Sequence, residues 1–268
     1  MIELGHFLPG GELLKDEKGV SETYTGMIEV GNRRLHAYVK FLPDRELANE
    51  LLGSVLARKS GLQVPDAFLV NVRREDYPAS PRFQVPGVIT IPAFATGAMN
   101  HKSFNRTATL QSPEAKKQFV SLWVEWPEVL GFDDWIANTD RHGGNFLIGG
   151  PGQVWLIDHG HSFTGPNWQI ANLQPQCQIN SRLWGDVLQA NVTHEAKQRA
   201  VPRVAKAAAK FHNIDADEAV EIAHIKTYLT APENQALVAF LKQRCGSVSQ
   251  RISALLGLPL LPMKEVPQ

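Results

Sequence analysis

A chain of 268 residues can form one large domain or two packed lobes and bury a sizeable core without covalent staples. Its 27 basic and 27 acidic side chains cancel, so no overall field draws it to nucleic acid or to an anionic membrane. Two distant cysteines, Cys177 and Cys245, make neither a disulfide framework nor a metal knuckle, and there is no signal-like start and no apolar run of spanning length, which together point to a soluble cytoplasmic protein.

In chain order, the first informative stretch is the glycine-bounded, hydroxyl-rich run from Gly19 to Gly26. Tyr24 to Val30 and Leu35 to Leu42 are rich in aromatic and branched side chains. Gly31-Asn32 between them tolerates positive φ, which predicts a β-hairpin. After Pro43, Asp44 is placed to cap a helix whose Leu47, Leu51 and Val55 form one apolar stripe, with Gly61 as its stop. Ala67 to Val72 and Val85 to Ile91 read as further strands around a charged loop, and Ala93 to Gly97 as a connector. These elements predict a small antiparallel sheet with one helix.

From Ser112 the pattern turns helical, with Ser112 as N-cap, Pro113 in the first turn, and Phe119, Leu122, Trp123 and Trp126 as an apolar face. Pro127 starts a second helix carrying Val129, Leu130, Trp135 and Ile136 into a polar stretch that ends at Asn145. Phe146 to Ile148 and Val154 to Ile157 read as short strands around a glycine-rich turn. Thr193 to Leu256 holds at least three helical segments, and the proline-bearing tail after Pro259 is expected to fray. The tryptophans at helical spacing belong to the core. The expected fold class is α+β, with a β-rich lobe over 1–95 carrying one helix and a mostly helical lobe over 96–268.

The sharpest motif is Asp140-Arg141-His142-Gly143-Gly144-Asn145, followed after two short strands by Asp158-His159-Gly160. Phosphoryl transfer from ATP needs a carboxylate to orient or deprotonate the attacking hydroxyl, and oxygen ligands for Mg2+. Asp140 suits the first task, and Asn145 with Asp158 the second, in the D-x-x-x-x-N and D-x-G arrangement of kinase sites. The same chemistry calls for a strand lysine on the ATP phosphates, held by a helix glutamate. Lys40, ending Ala37-Tyr38-Val39-Lys40, fits the first, and Glu50 is preferred for the second, with Glu46 on much the same face. The run from Gly19 to Gly26 is neither G-x-G-x-x-G nor a Walker A sequence. Phosphate contacts there would come from backbone N–H groups and the hydroxyls of Ser21 or Thr23, which are also candidates for self-phosphorylation.

Asp134-Trp135-Ile136-Ala137-Asn138-Thr139-Asp140-Arg141 and Trp155-Leu156-Ile157-Asp158-His159-Gly160 closely resemble the catalytic core of the HipA-like kinases, as does Leu47-Ala48-Asn49-Glu50 leading to Gly61-Leu62-Gln63-Val64-Pro65. The resemblance covers roughly Gly19 to Phe163. It implies a two-lobed protein-kinase-like fold and transfer of phosphate from ATP with Mg2+ to serine or threonine. Asp140 matches the catalytic aspartate, Asn145 and Asp158 the metal pair, and Lys40 the ATP-contacting lysine. The chain lacks the additional N-terminal segment of full-length HipA toxins. An antitoxin partner is allowed by the resemblance, while direct nucleic-acid or membrane binding is not expected. Alternatives of the same fold are a small-molecule or lipid kinase and a nucleotide-binding pseudokinase. A different class, a metal-dependent hydrolase, would use His142, His159 and His161 beside the aspartates. The simpler roles are a loop brace for His142 and, for His159, the slot that holds Phe in many kinases.

Overall fold

The structure, a computed structural model, describes residues 1–14 and 21–259. Gly19 and Val20 of the glycine-bounded run, and the tail beyond Pro259, lie outside the described residues. The N-terminal part comprises strands β1 (Glu3–Phe7), β2 (Glu12–Leu13), β3 (Glu22–Val30) and β4 (Arg33–Phe41), helix α1 (Asp44–Lys59), and strands β5 (Ala67–Arg73) and β6 (Thr90–Gly97). The C-terminal part follows with β7 (Lys102–Ser103), α2 (Pro113–Leu122), α3 (Trp126–Trp135), β8 (Phe146–Gly150) and β9 (Gln153–Leu156). A π-helical turn (Leu183–Leu188) then leads to α4 (His194–His212), α5 (Ala216–Ile222), α6 (Ala231–Arg244) and α7 (Val248–Leu256).

The expected small antiparallel sheet closes into a ring. Strands run β1-β5-β6-β4-β3, and β3 pairs back to β1, so five strands close on themselves, with β2 outside on β3. The β1–β5 pair is parallel, aligning Glu3 with Phe68 and His6 with Asn71. Strand β1 carries only ELGHF, whose glycine and two polar residues give no strand signal, yet that glycine makes the closure. A Cβ on Gly5 would stand 2.4 Å from the Glu29 carbonyl oxygen across the β1–β3 contact. Phe7, Ile28, Val39, Phe41, Phe68 and Val70 fill the barrel.

The hairpin forms as read, with Val30 opposite Arg33 and Gly31 at φ +56°. The strand expected over Val85 to Ile91 forms only from Thr90. Pro86 and Gly87 (φ +82°) break it, Val85 and Ile89 are exposed, and β6 runs through the segment read as a connector. Pro92 is tolerated there because β4 reaches only Phe94 to Gly97 of β6, so at Pro92 the strand has β5 alone as neighbour.

Helix α1 begins at Asp44, which is its first helical residue rather than its cap. Pro43 holds the cap position without a side-chain bond. The helix ends in a Schellman motif, the N–H groups of Gly61 (φ +80°) and Leu62 donating to the Arg58 and Ala57 carbonyls. Every residue from Leu47 to Ala57 is buried, polar ones included, because α1 lies between the barrel and the helical part. The single apolar stripe read from the sequence is one of several buried faces. In α2, Ser112 caps as expected, but Leu122 turns to solvent while Phe119 and Val120 face the core.

Candidate active site

Alternation along β4 sends Ala37, Val39 and Phe41 into the barrel and Lys40 to the outer face. There its ammonium meets Glu50 Oε1 at 2.6 Å and Asp158 Oδ1 at 3.1 Å. The second oxygen of Glu50 accepts the His159 backbone N–H at 2.7 Å. Glu50 is therefore the partner of Lys40, and Glu46, one turn earlier, receives Ser21 Oγ at 3.5 Å. Thr23 is the cross-strand neighbour of Lys40, and its hydroxyl donates to the Ser21 carbonyl, so the run read as a loop is strand from Glu22 onward.

The charges in this cluster are unequal. Burial works against the Asp158 carboxylate, but the Lys40 ammonium overrides it and holds Asp158 well below the usual carboxylate range. Burial likewise opposes the Lys40 charge, and the attraction of Asp158 and Glu50 leaves it above its ordinary value. Glu50, the deepest of the three, is pushed up to about 7 by burial, with Lys40 pulling the other way. Burial also raises Glu46.

The loop from Asn138 to Asn145 hangs between α3 and β8. The Asn138 side chain accepts the Asp140 N–H at 3.0 Å, and Asn145 Nδ2 donates to the Asp140 carbonyl at 2.8 Å and, at 3.4 Å, to its Oδ2. Arg141, fully buried, pairs with Asp133 at 3.2 Å. It also donates to the backbone carbonyls of Asn145, Ile157 and Asp158. One guanidinium thus fixes both aspartate-bearing loops. His142 accepts the Gly144 N–H through Nδ1 at 2.8 Å, bracing the loop, and its Nε2 lies 3.8 Å from Asp140. Ala137, Asp158, Phe163 and Thr164 all have positive φ, +48° to +79°, a concentration of backbone strain typical of functional loops.

Helix α1 also holds the segment after Asp158. Asn49 Nδ2 donates to the carbonyls of Gly160, Ser162 and Gly165 at 2.7 to 3.2 Å, and its Oδ1 accepts Trp168 Nε1 at 2.9 Å. His159 is buried against Gly53, where a Cβ would come within 2.5 Å of the His159 Cβ, and edge-on to Phe132. Its Nδ1 lies 2.9 Å from Arg141 Nη2; a guanidinium only donates, so Nδ1 accepts and the proton sits on Nε2. Burial holds this ring well below the usual histidine range, hence neutral. Among the described residues no group of three or more His, Cys, Asp or Glu is arranged around a metal position, and His159 is engaged with Arg141.

Sequence reading missed Arg182. Its Nη1 donates to Asp140 Oδ1 at 2.5 Å from 42 residues away, and no motif marks it. Asn49 was legible only as part of the Leu47 to Glu50 match.

A family model described as HipA-like kinase matches residues 15–217. No curated protein matches the sequence. Among solved structures, the Helicobacter pylori proinflammatory kinase CtkA is similar in fold, with a TM-score of 0.56 and 14% identity over 94% of this chain and 97% of that chain.

Proposed function

Because the chain belongs to the HipA-like kinase family, we propose that it transfers the γ-phosphoryl group of ATP to a serine or threonine hydroxyl of a protein. The observation that carries this reading is the double pairing of Lys40, which ties strand β4, helix α1 and the Asp158 loop into one arrangement. Lys40 would move its attraction from Asp158 to the α and β phosphates while Glu50 keeps it oriented. We read 1–95 and 96–268 as the two lobes, the boundary falling in the last residues of β6 and the nucleotide lying between them.

The donor set fits magnesium. Asp158 presents an ionised carboxylate, and the Asn145 amide, whose NH2 is bound to Asp140, leaves its carbonyl oxygen as the ligand atom; both are the hard oxygens this ion prefers. When bound, the ion neutralises the phosphate oxygens. Asp140, oriented by Asn138 and Asn145, accepts the hydroxyl proton as the acceptor oxygen attacks. Thr23, the cross-strand neighbour of Lys40, and Ser21, whose carbonyl accepts the Thr23 hydroxyl, would supply hydroxyls to the phosphates from the β3 side.

Label from γ-labelled MgATP, supplied to the purified protein and to a cytosolic extract, should enter protein bands and vanish with Asp140→Ala and Asp158→Ala. Tight MgATP binding without any labelled protein would exclude a protein acceptor. Loss of nucleotide binding altogether would overturn the phosphotransfer reading.

A further inference from the structure

Three side-chain cations contact the two aspartates or their loops among the described residues. Lys40 is held by Glu50 and Asp158, and Arg141 is buried on Asp133 and backbone carbonyls. Arg182 differs from both. It is the residue that caps the π-helical turn, and its side chain, 44% exposed, reaches Asp140 from the C-terminal part. Its Nη1 donates to Asp140 Oδ1 at 2.5 Å and its Nε to Asp186 Oδ2 at 3.1 Å, while Nη2 has no hydrogen-bond partner among the described residues. The turn beneath it is packed into the core: Leu183, Val187 and Leu188 are buried, and the Ser181 hydroxyl accepts the Trp184 N–H at 3.2 Å. Irregular π turns of this kind are common at functional sites.

We propose that Arg182 is a catalytic residue of the transfer, the cation that meets the migrating phosphoryl group beside Asp140. The inference rests on the reading of Asp140 as the base. A hydroxyl that gives its proton to Asp140 must lie within about 3 Å of that carboxylate. A guanidinium bonded to the same carboxylate is then within reach of the phosphoryl oxygens, and its unused Nη2 can donate to them. In the step, the acceptor proton passes to Asp140, the acceptor oxygen forms a bond to the γ-phosphorus, and the bond from that phosphorus to the β,γ-bridging oxygen breaks. The electron pair stays on ADP. Arg182 gains and loses no proton; its N–H groups balance charge that spreads over the three equatorial oxygens. Asp186 keeps the fork turned toward Asp140.

The test compares the intact full chain with Arg182→Ala, Arg182→Gln and Arg182→Lys, and measures the affinity for MgADP with and without aluminium fluoride, a planar mimic of the migrating group. The intact protein should bind MgADP more tightly with the fluoride. The Ala and Gln variants should lose most of that gain, about 100-fold, with affinity for MgADP alone changed less than about 3-fold. The Lys variant should recover part of it, lacking the planar fork. Rates of label transfer should fall in the same order. Should the Ala variant not fold, the Gln variant, similar in length, decides. An undiminished gain in the uncharged variants, or faster transfer by them, overturns the role of Arg182 and leaves the kinase reading standing. No gain in the intact protein overturns that reading and this inference with it.

Discussion

Asp158 and Glu50 share the Lys40 ammonium; burial raises Glu50, while Lys40 overrides burial at Asp158 and holds that carboxylate down. For Asp158 the sign follows from its depressed folded pKa against an ordinary value of 3.8. Its stabilising contribution is fully present above that ordinary value and is lost as pH falls below it through the folded value. Urea unfolding at steps from pH 6 to pH 3 should show a steeper acid-side loss for the intact protein than for Asp158→Asn. Arg141 makes a larger prediction. Removing it takes from Asp133 its buried cation and leaves the Ile157 and Asp158 carbonyls without their donor, so Arg141→Ala should cost about 3–5 kcal/mol of unfolding free energy, as broken buried pairs do. At this scale spacing in the sequence singled out Asp140, Asn145 and Asp158, and the fold sets Asn145 on Asp140 and Asp158 on Lys40. Lys40 could be found because a lysine closing an apolar strand is conspicuous. Arg182 could not, since its approach to Asp140 depends on the path of the chain through the π turn, and spacing does not encode that path.

Helix α1 sits close enough to the Asp158 loop that one methyl group matters. Alanine is the better helix former by about 1 kcal/mol, yet Gly53→Ala would press its Cβ into His159, 2.5 Å away. Overpacking of that kind typically costs about 1–3 kcal/mol, so the variant should be less stable despite its improved propensity and should bind MgATP more weakly. The shift should shrink when His159→Gly is added, which removes the Cβ that the new methyl meets, and calorimetry with a double-mutant cycle would detect it. The ends of this helix were legible from Pro43 and Gly61, because stop signals act locally. Burial on every side was not, since it depends on the barrel and the helical part meeting there. Likewise β6 was misread because Ala93, Ala95 and Gly97 dilute the strand signal of Phe94 and Thr96; its place is fixed by β4 and β5 on either side.

At the level of the whole molecule, barrel closure depends on the approach of β1 to β3. Gly5→Val would put side-chain atoms where the Glu29 carbonyl stands. Amide exchange should then quicken in both strands, while α4 and α7, remote from the clash, keep their protection. The order of a β-rich part and then a helical part could be read from periodicity alone, but the ring could not, because a five-residue strand with a parallel partner has no local signature. Helix α1, though continuous in sequence with the barrel, is fastened to the other part by directional bonds. Asn49 binds three carbonyls, Glu50 the His159 N–H, and Arg45 both the Trp168 carbonyl and Glu233. Against β5 and β6 it packs mainly through apolar side chains. Hydrogen bonds fail after a small displacement, whereas greasy surfaces can shear. Mechanically, α1 is a beam anchored in the helical part, and the Lys40–Glu50 bond is the bolt that joins it to β4 of the barrel.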